Sequence, residues 1–447
     1  MANAHAPGQA RAARRAIWWR IHVWSALIAT PFTAVAALTG MLYVLTPQVE
    51  AWRYGALDRV AAGGTPLALD QSVAAAIAAA PPGAPLQAVY PPAAPGASLK
   101  AVFGKGAAGA HAGHSAAQMA QMEKMANSAP RGRQAAALTI YIDPASGAVL
   151  GAVAGEERFG SWARRLHSRL LQGDGWRWMI ELAASAMLVM LLTGVLLWWP
   201  ASPRQALPRA GLRGRPGWKQ WHAVPGAALG LLTLAIVATG LTWSQYGGQQ
   251  IRSTRDALGQ APPRVPTGLA SVLPHGPALL GWQAAWDQAR RLAPEVALQM
   301  TPPALPDGVW RISAADPSRP TRRFDLLLDA YSGQPLFYGG WQQQTAFGKA
   351  TAIGIPFHRG EFGWWNQALL LVFGAGVLFS LLSGWVMWFL RRRHGGPLLP
   401  PVAPGAWRAA AIPLLLTGAV LTWFAPLAGV AAAAVWAIEG LRLRARR

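Results

Sequence analysis

Four stretches of the chain stay apolar for long enough to cross a bilayer. A spanning helix needs about 20 mostly apolar residues, and Ile21 to Leu45, Trp176 to Trp199, Val224 to Trp243 and Ala368 to Leu390 supply them. A fifth apolar stretch, Ala409 to Ile438, is interrupted by Pro426 and flanked by basic residues on both sides, which favours two short passes that turn at the proline over one long span that would put the tail outside. Pro31 and Pro225 fall inside or beside spans, where helix kinks are tolerated.

The polar segments between the spans are of two kinds. Residues 1–16 hold Arg11, Arg14 and Arg15, and 200–221 hold Arg204, Arg209, Arg213, Arg215 and Lys219 without one acid. Arg391, Arg392 and Arg393 open the segment 391–408. Short basic loops stay on the cytoplasmic side, so all three belong there. The long segments 46–160 and 244–350 then lie outside, each linked to the next span by a His-bearing piece, 161–199 and 351–390. The spans at 17–45 and 222–243 each lead out, and 409–438 forms the terminal hairpin. The first span resembles a signal peptide in its basic start, but its apolar run is too long and no small-residue cleavage site follows, which predicts an uncleaved anchor.

Within the outer segments the periodicity changes. "LGWQAAWDQARRLAP" has helical spacing, "VWRIS" reads as a strand, and "FDLLLDAYSGQPL" as strand, turn and strand. The first segment has the same order in "LDQSVAAAIAAAP", "LKAVFG" and "LTIYIDPASGAVL", with Asp143 and Gly147 placed as Asp329 and Gly333 are. This is an internal repeat of small α+β modules.

The repeat runs on into the spans. "WWRIHVWSALIATPFTAVAALTG" aligns with "WKQWHAVPGAALGLLTLAIVATG", so His22 precedes Gly40 by eighteen residues and His222 precedes Gly240 by eighteen. "RLHSRLLQGDGWRW" aligns with "IPFHRGEFGWWNQ", placing His167 before Gly194 and His358 before Gly384. Eighteen helical residues cover roughly 27 Å, about one bilayer core. His22, His222, Gly194 and Gly384 therefore share the inner level, and His167, His358, Gly40 and Gly240 the outer. Each glycine follows a hydroxyl residue: Thr39, Thr193, Thr239 or Ser383. Two imidazoles per level, with side-chain-free backbone where a flat macrocycle would meet the helices, predict two b-type haems. Zinc or di-iron is disfavoured, since no carboxylate accompanies these histidines.

Composition agrees with a membrane protein: 53% of the 447 residues are hydrophobic and 13% charged, against roughly a quarter charged in soluble chains. The net charge of +22 does not indicate nucleic acid, because the basic residues cluster beside apolar runs and no nucleic-acid-binding motif appears. The absence of cysteine excludes disulfides, thiolate catalysis, iron–sulfur clusters and covalent haem attachment. No Rossmann glycine pattern follows a strand, so no nicotinamide or flavin module is visible.

At "LHSRLLQG", the "WH...G" start of the third span and the "YSG" turns, residues 11 to 393 resemble the PepSY-associated transmembrane proteins of the siderophore-iron reductase type; the "FAPLAG" turn of the tail is similar too. The resemblance implies a haem-bearing bundle in the bacterial inner membrane with its N-terminus cytoplasmic and its PepSY modules periplasmic. It implies His22 with His222 and His167 with His358 as axial ligands, electrons from a quinol or a cytoplasmic flavoprotein, and a ferric siderophore or other ferric chelate as acceptor. Arg164, Arg165, Arg169 and Arg359 near the outer pair are candidates for holding propionates or attracting an anionic chelate, or for interfacial anchoring. One departure is the insertion at 105–134, where His111, His114, Met119, Met122 and Met125 are candidates for Cu(I), against a plain Ala/Gly-rich loop. Two other readings stand beside the reductase: a non-enzymatic anchor, sensor or peptidase-modulating protein, and a cupric reductase or copper-handling protein. The expected fold is mainly α: a four-helix haem-bearing transmembrane bundle from a duplication, two small α+β PepSY-like extracytoplasmic modules, and a C-terminal apolar hairpin.

Overall fold

Long apolar runs with few charges fold as helices whose backbone bonds are all internal, the one open-chain solution available in lipid. In the computed structural model, which describes residues 6–61, 63–104, 137–199, 209–272, 278–397, 399, 401–402, 407 and 411–444, these runs gather in one of two units. That unit comprises Met1–Val44, Arg164–Gln260 and Phe357–Arg447; the other comprises Leu45–Ala163 and Ala261–Pro356.

The helical unit is built on α1 (Ala6–Val44), α5 (Trp178–Trp198), the pair α6 (Gly214–Ala228) and α7 (Gly230–Leu241), and α11 (Trp364–Arg393). By length and composition three of these helices can cross a membrane, and the α6–α7 pair makes a fourth. The third span, expected at 222–243 with Pro225 near its start, is a broken helix. It bends by 58° at Leu229, one turn after Pro225 and just before Gly230, which opens α7. α1 packs along α5 and α11, and α6 along α11. The terminal apolar stretch breaks at the expected proline into α12 (Ala411–Phe424) and α13 (Pro426–Arg444). The corner residue Ala425 is buried against Val237 and Leu241.

Among the described residues, one carboxylate is buried inside the helical unit. Glu181 of α5 is 1% exposed and accepts the backbone N–H groups of Tyr246 (3.0 Å) and Gly247 (2.7 Å). Those groups begin α8 (Gly247–Ala257), so the acid caps that helix and meets its positive end.

In the other unit, alternation makes strands. The order is α2 (Thr46–Asp58), α3 (Leu69–Ala78), β1 (Leu86–Tyr90), β2 (Leu99–Phe103), β3 (Leu138–Ile142) and β4 (Val149–Ala154). The second half repeats it with α9 (Trp282–Leu292), β5 (Leu298–Thr301), β6 (Val309–Ala314), β7 (Phe324–Asp329) and β8 (Pro335–Gly340). The two expected modules are not separate. All eight strands form one sheet in the order β4-β3-β2-β1-β5-β6-β7-β8, joined where Val89 pairs with Met300. Alternate residues from both halves, among them Leu99, Ala101, Phe103, Leu326 and Leu328, share one core with Val73 of α3 and Ala285 and Ala289 of α9. The helices also cap each other: Asp70 accepts the Trp282 and Gln283 N–H groups at 2.8 and 3.0 Å, and Gln283 Oε1 accepts that of Leu69 at 2.9 Å.

The turn signature repeats in three dimensions. Gly147 and Gly333 adopt φ of +73° and +69°, the left-handed region where a side chain is strained, and each returns its N–H to the carbonyl of Asp143 or Asp329. The Asp329 carboxylate also takes the N–H groups of Val272, Tyr331 and Ser332 at 2.8–3.0 Å.

Candidate metal centre

Each of the four repeated histidines lies on a helix and reaches a hydroxyl–glycine pair on a neighbouring helix of its own half. His22 of α1 directs Nδ1 to Thr193 Oγ1 of α5 at 2.9 Å. In return His167, on α4 (Phe159–Arg169), directs Nδ1 to Thr39 Oγ1 of α1 at 3.0 Å. The second half repeats this exchange. His222 of α6 meets Ser383 Oγ of α11 at 3.0 Å, and His358, on α10 (Ala346–Arg359), meets Thr239 Oγ1 of α7 at 3.0 Å.

These contacts decide which ring nitrogen carries the proton. Each hydroxyl proton is committed along its own helix: Thr193 to Val189 O, Thr39 to Val35 O and Thr239 to Ala235 O, all at 2.7 Å, and Ser383 to Ser380 O at 3.0 Å. The oxygens can therefore only accept. A carbonyl three residues before each hydroxyl adds a second acceptor: Ser380 and Ile236 at 3.0 Å for His222 and His358, and Met190 and Ala36 for His22 and His167. Every Nδ1 is thus the donor, and every Nε2 keeps its lone pair free. A ring held by Nδ1–H and offering Nε2 is how proteins present histidine to a metal.

The glycines serve these rings. A Cβ built on Gly40 would lie 3.2 Å from His167 Cε1, on Gly240 3.3 Å from His358 Cε1, on Gly194 3.4 Å from His22 Cε1 and on Gly384 3.7 Å from His222 Cε1. Beside the expected role of clearance for a macrocycle edge, the structure sets each glycine against the edge of an imidazole. The distribution by level is as the spacing required, with Gly194 and Gly384 at His22 and His222, and Gly40 and Gly240 at His167 and His358.

The pairs come together across the two halves. The ring centroids of His22 and His222 stand 6.1 Å apart with perpendicular planes. Two imidazoles bonded to one metal at about 2.0–2.1 Å per nitrogen place their centroids about 6 Å apart, so the spacing fits a shared ion. His358 in turn lies near enough to His167 to act on its charge. Among the described residues no cluster of three or more His, Cys, Asp or Glu side chains gathers to hold an ion. Two imidazoles alone leave a metal's other positions open, and a porphyrin's four nitrogens fill them; the residues present fit b-type haem.

Around His167 the backbone is unusual. Leu170 and Leu171, in the "LLQG" piece, have φ of +48° and +63°, conformations that cost a bulky residue about 1–3 kcal/mol. The matching turn after His358 uses Gly360 and Gly363, at +74° and +91°. Of the nearby arginines, Arg165 lies on α4 with His167, Arg169 pairs with Asp174, and Arg359 bonds Tyr43 Oη at 3.2 Å and Glu361 at 2.7 Å. His111, His114, Met119, Met122 and Met125 lie outside the described residues. Sequence reasoning missed the carbonyl acceptors, which no residue type signals, and Glu181, for which a lone acid in an apolar run was the available sign.

The duplicated His–hydroxyl–glycine geometry coincides with a family match, as residues 19–391 fit the model of the PepSY-associated TM region. The chain belongs to that family. As a PepSY-associated TM protein it is a membrane protein whose matched region includes all four histidines and every hydroxyl and glycine that holds them. None of the curated proteins compared with it matches the chain.

Proposed function

We propose that this PepSY-associated TM protein is a two-haem electron carrier of the bacterial inner membrane that reduces a ferric siderophore, or a similar ferric chelate, on the periplasmic side. The observation that carries the reading is the fourfold repeat of one arrangement: a half-buried imidazole, its Nδ1–H held by a hydroxyl and a carbonyl, its Nε2 left free, and a glycine beside the ring. Ordinary helix packing also favours Gly, Ser and Thr, but it gives no reason for four identical ring tautomers.

His22 with His222 and His167 with His358 would hold the two groups through Nε2. When bound, b-type haem supplies a centre that gains and loses one electron without a proton-transfer residue. The chain's own part is to fix each ring. The hydroxyl and carbonyl acceptors set its tautomer and make Nε2 more basic, and the glycines set its distance from the neighbouring helix. Reduction of Fe(III) to Fe(II) weakens the hold of a hard oxygen chelate on the metal, which is how iron would be released.

The test is the full chain purified from cells supplied with haem. Two b-type haems per chain, reducible by dithionite and reoxidised by a ferric siderophore, are expected. A colourless chain, or a haem-loaded one that ferric siderophores leave reduced, would overturn the reading.

A further inference from the structure

A cavity of about 650 Å³ opens between α6 and α11, lined by Leu212, Gly217, Trp218, Trp221, Pro225 and Phe379. It is separate from the histidine pair beside it, because among the described residues its lining includes neither His22 nor His222 and nothing from α1 or α5. We propose that this cavity binds the ring of a membrane quinol, and that the quinol is the electron donor to the His22–His222 centre. The donor role rests on the electron-carrier reading; the binding site does not.

Three features select a flat, apolar ring with oxygen at its edge. The first is the aromatic wall. Trp218 and Phe379, with ring centroids 6.4 Å apart and planes tilted by 31°, both line the cavity. A flat ring laid against this pair stacks at about 3.5 Å from an aromatic surface. The second is access. Trp221, which lines the cavity, is 61% exposed, so the cavity is open at the helix surface, within reach of a molecule dissolved in the bilayer. The third is the polar end. α6 begins at Gly214 without a side-chain cap, which leaves N–H groups of its first turn to donate. Gly217 lies so close to the Leu212 carbonyl that a Cβ there would stand 2.5 Å from its oxygen. A donor and an acceptor side by side suit a ring oxygen in both its hydroxyl and its carbonyl forms, whereas a soluble flavoprotein would need a broad polar surface rather than a slot.

Position supplies the redox logic. His222 lies one turn along α6 from Trp218, and Ser380, whose carbonyl holds His222 Nδ1, adjoins Phe379. A ring in the slot therefore rests against the residues that carry the imidazole. A quinol that leaves as quinone releases two electrons and two protons. Two ferric chelates take one electron each, and the protons leave to water at the α6 end of the bundle.

The site is tested on the full chain in nanodiscs by calorimetric titration with ubiquinone-1, alongside Trp218→Leu and Phe379→Leu. Saturable binding by the wild type is expected, weakened about 2- to 12-fold in each variant by loss of one stacking ring. Both variants should keep the wild-type haem spectrum and dithionite reduction, but lose rapid reduction by the quinol form. No saturable binding, or equal binding by wild type and both variants, would overturn the site. So would loss of haem in both variants, since the cavity would then belong to the metal centre. Quinone binding by a wild-type chain that takes up no haem would support the site and remove the electron-carrier reading instead.

Discussion

Alanine at Gly40 and alanine at Gly384 should have opposite consequences, although both positions are helical glycines beside an imidazole. At Gly40 the new methyl would lie 3.2 Å from His167 Cε1, and at Gly384 it would lie 3.7 Å from His222 Cε1. Carbon atoms rest at about 3.5–4.0 Å, so the first contact is compressed by about 0.3 Å and the second is ordinary. His167 cannot simply withdraw, because its Nδ1 is tied to Thr39 Oγ1 one residue from the substitution. The ring must turn about that anchor, and Nε2 swings away from its axis. Overpacking of this kind costs about 1–3 kcal/mol, which is about 5- to 150-fold in affinity for the group held by His167. Gly384→Ala meets no such obstacle and gains about 0.5–1 kcal/mol of helix stability. Haem titration of each apo-chain, followed by its absorption band, and thermal unfolding of the same samples measure both effects. Equal weakening by the two alanines, or none from Gly40→Ala, would refute the imidazole contact as the reason for these glycines.

Other outcomes follow from the same contacts. His22→Ala and His222→Ala should each lose one and the same haem, and His167→Ala and His358→Ala the other, as read by difference spectra of the single and paired variants. Glu181→Leu leaves the N–H groups of Tyr246 and Gly247 without their acceptor and should cost about 1–3 kcal/mol in unfolding assays, with Glu181→Gln milder because it keeps one carbonyl oxygen. Burial works against the charged form of Asp329, but the N–H groups of Ser332, Val272 and Tyr331 and the Ser332 hydroxyl outweigh it and hold its pKa below the usual carboxylate value. Its stabilisation is therefore fully present above about pH 3.9, the unfolded value, and is lost as pH falls through the folded one. Asp329→Asn should flatten that acid dependence and lower stability at neutral pH by about 1–3 kcal/mol.

How much of this was legible depended on whether the determinant was periodic or tertiary. Spans, turn glycines and the histidine spacing repeat along the chain and could be read directly. Helices α3 and α9 and strands β2, β3, β6, β7 and β8 stood where alternation and turn residues placed them. β1 and β5 were not foreseen: "LQAVY" and "LQMT" are too short to show a period, and they become strands by pairing with each other's half. The same pairing merges two expected modules into one sheet, a long-range fact with no local signal. The bend at Leu229 had its sign in Pro225, but a proline near a span marks tolerance of a kink without its size. In the candidate site, residue type revealed histidine, hydroxyl and glycine. It could not reveal that the glycine faces the ring, because that depends on how closely α1 and α5 approach.

The joint between the halves has a meaning for ancestry and assembly. A single half-chain offers one imidazole at each level and ends its sheet on the bare strand β1, with hydrogen-bonding groups that demand a neighbour. Both needs are met by the second half: Val89 pairs with Met300, and the His22 ring stands 6.1 Å from that of His222. The tandem chain therefore supplies within one polypeptide what a lone half would have to find in another copy. Once fused, the halves were released from identity. Ser383 now stands where the other three sites have threonine, one span bends by 58° while its counterpart α1 runs through, and the aromatic slot beside His222 has phenylalanine and tryptophan from the second half alone. An obligate symmetric dimer would carry two such slots; the tandem chain can keep one entrance and leave the other end of the bundle free for a different partner.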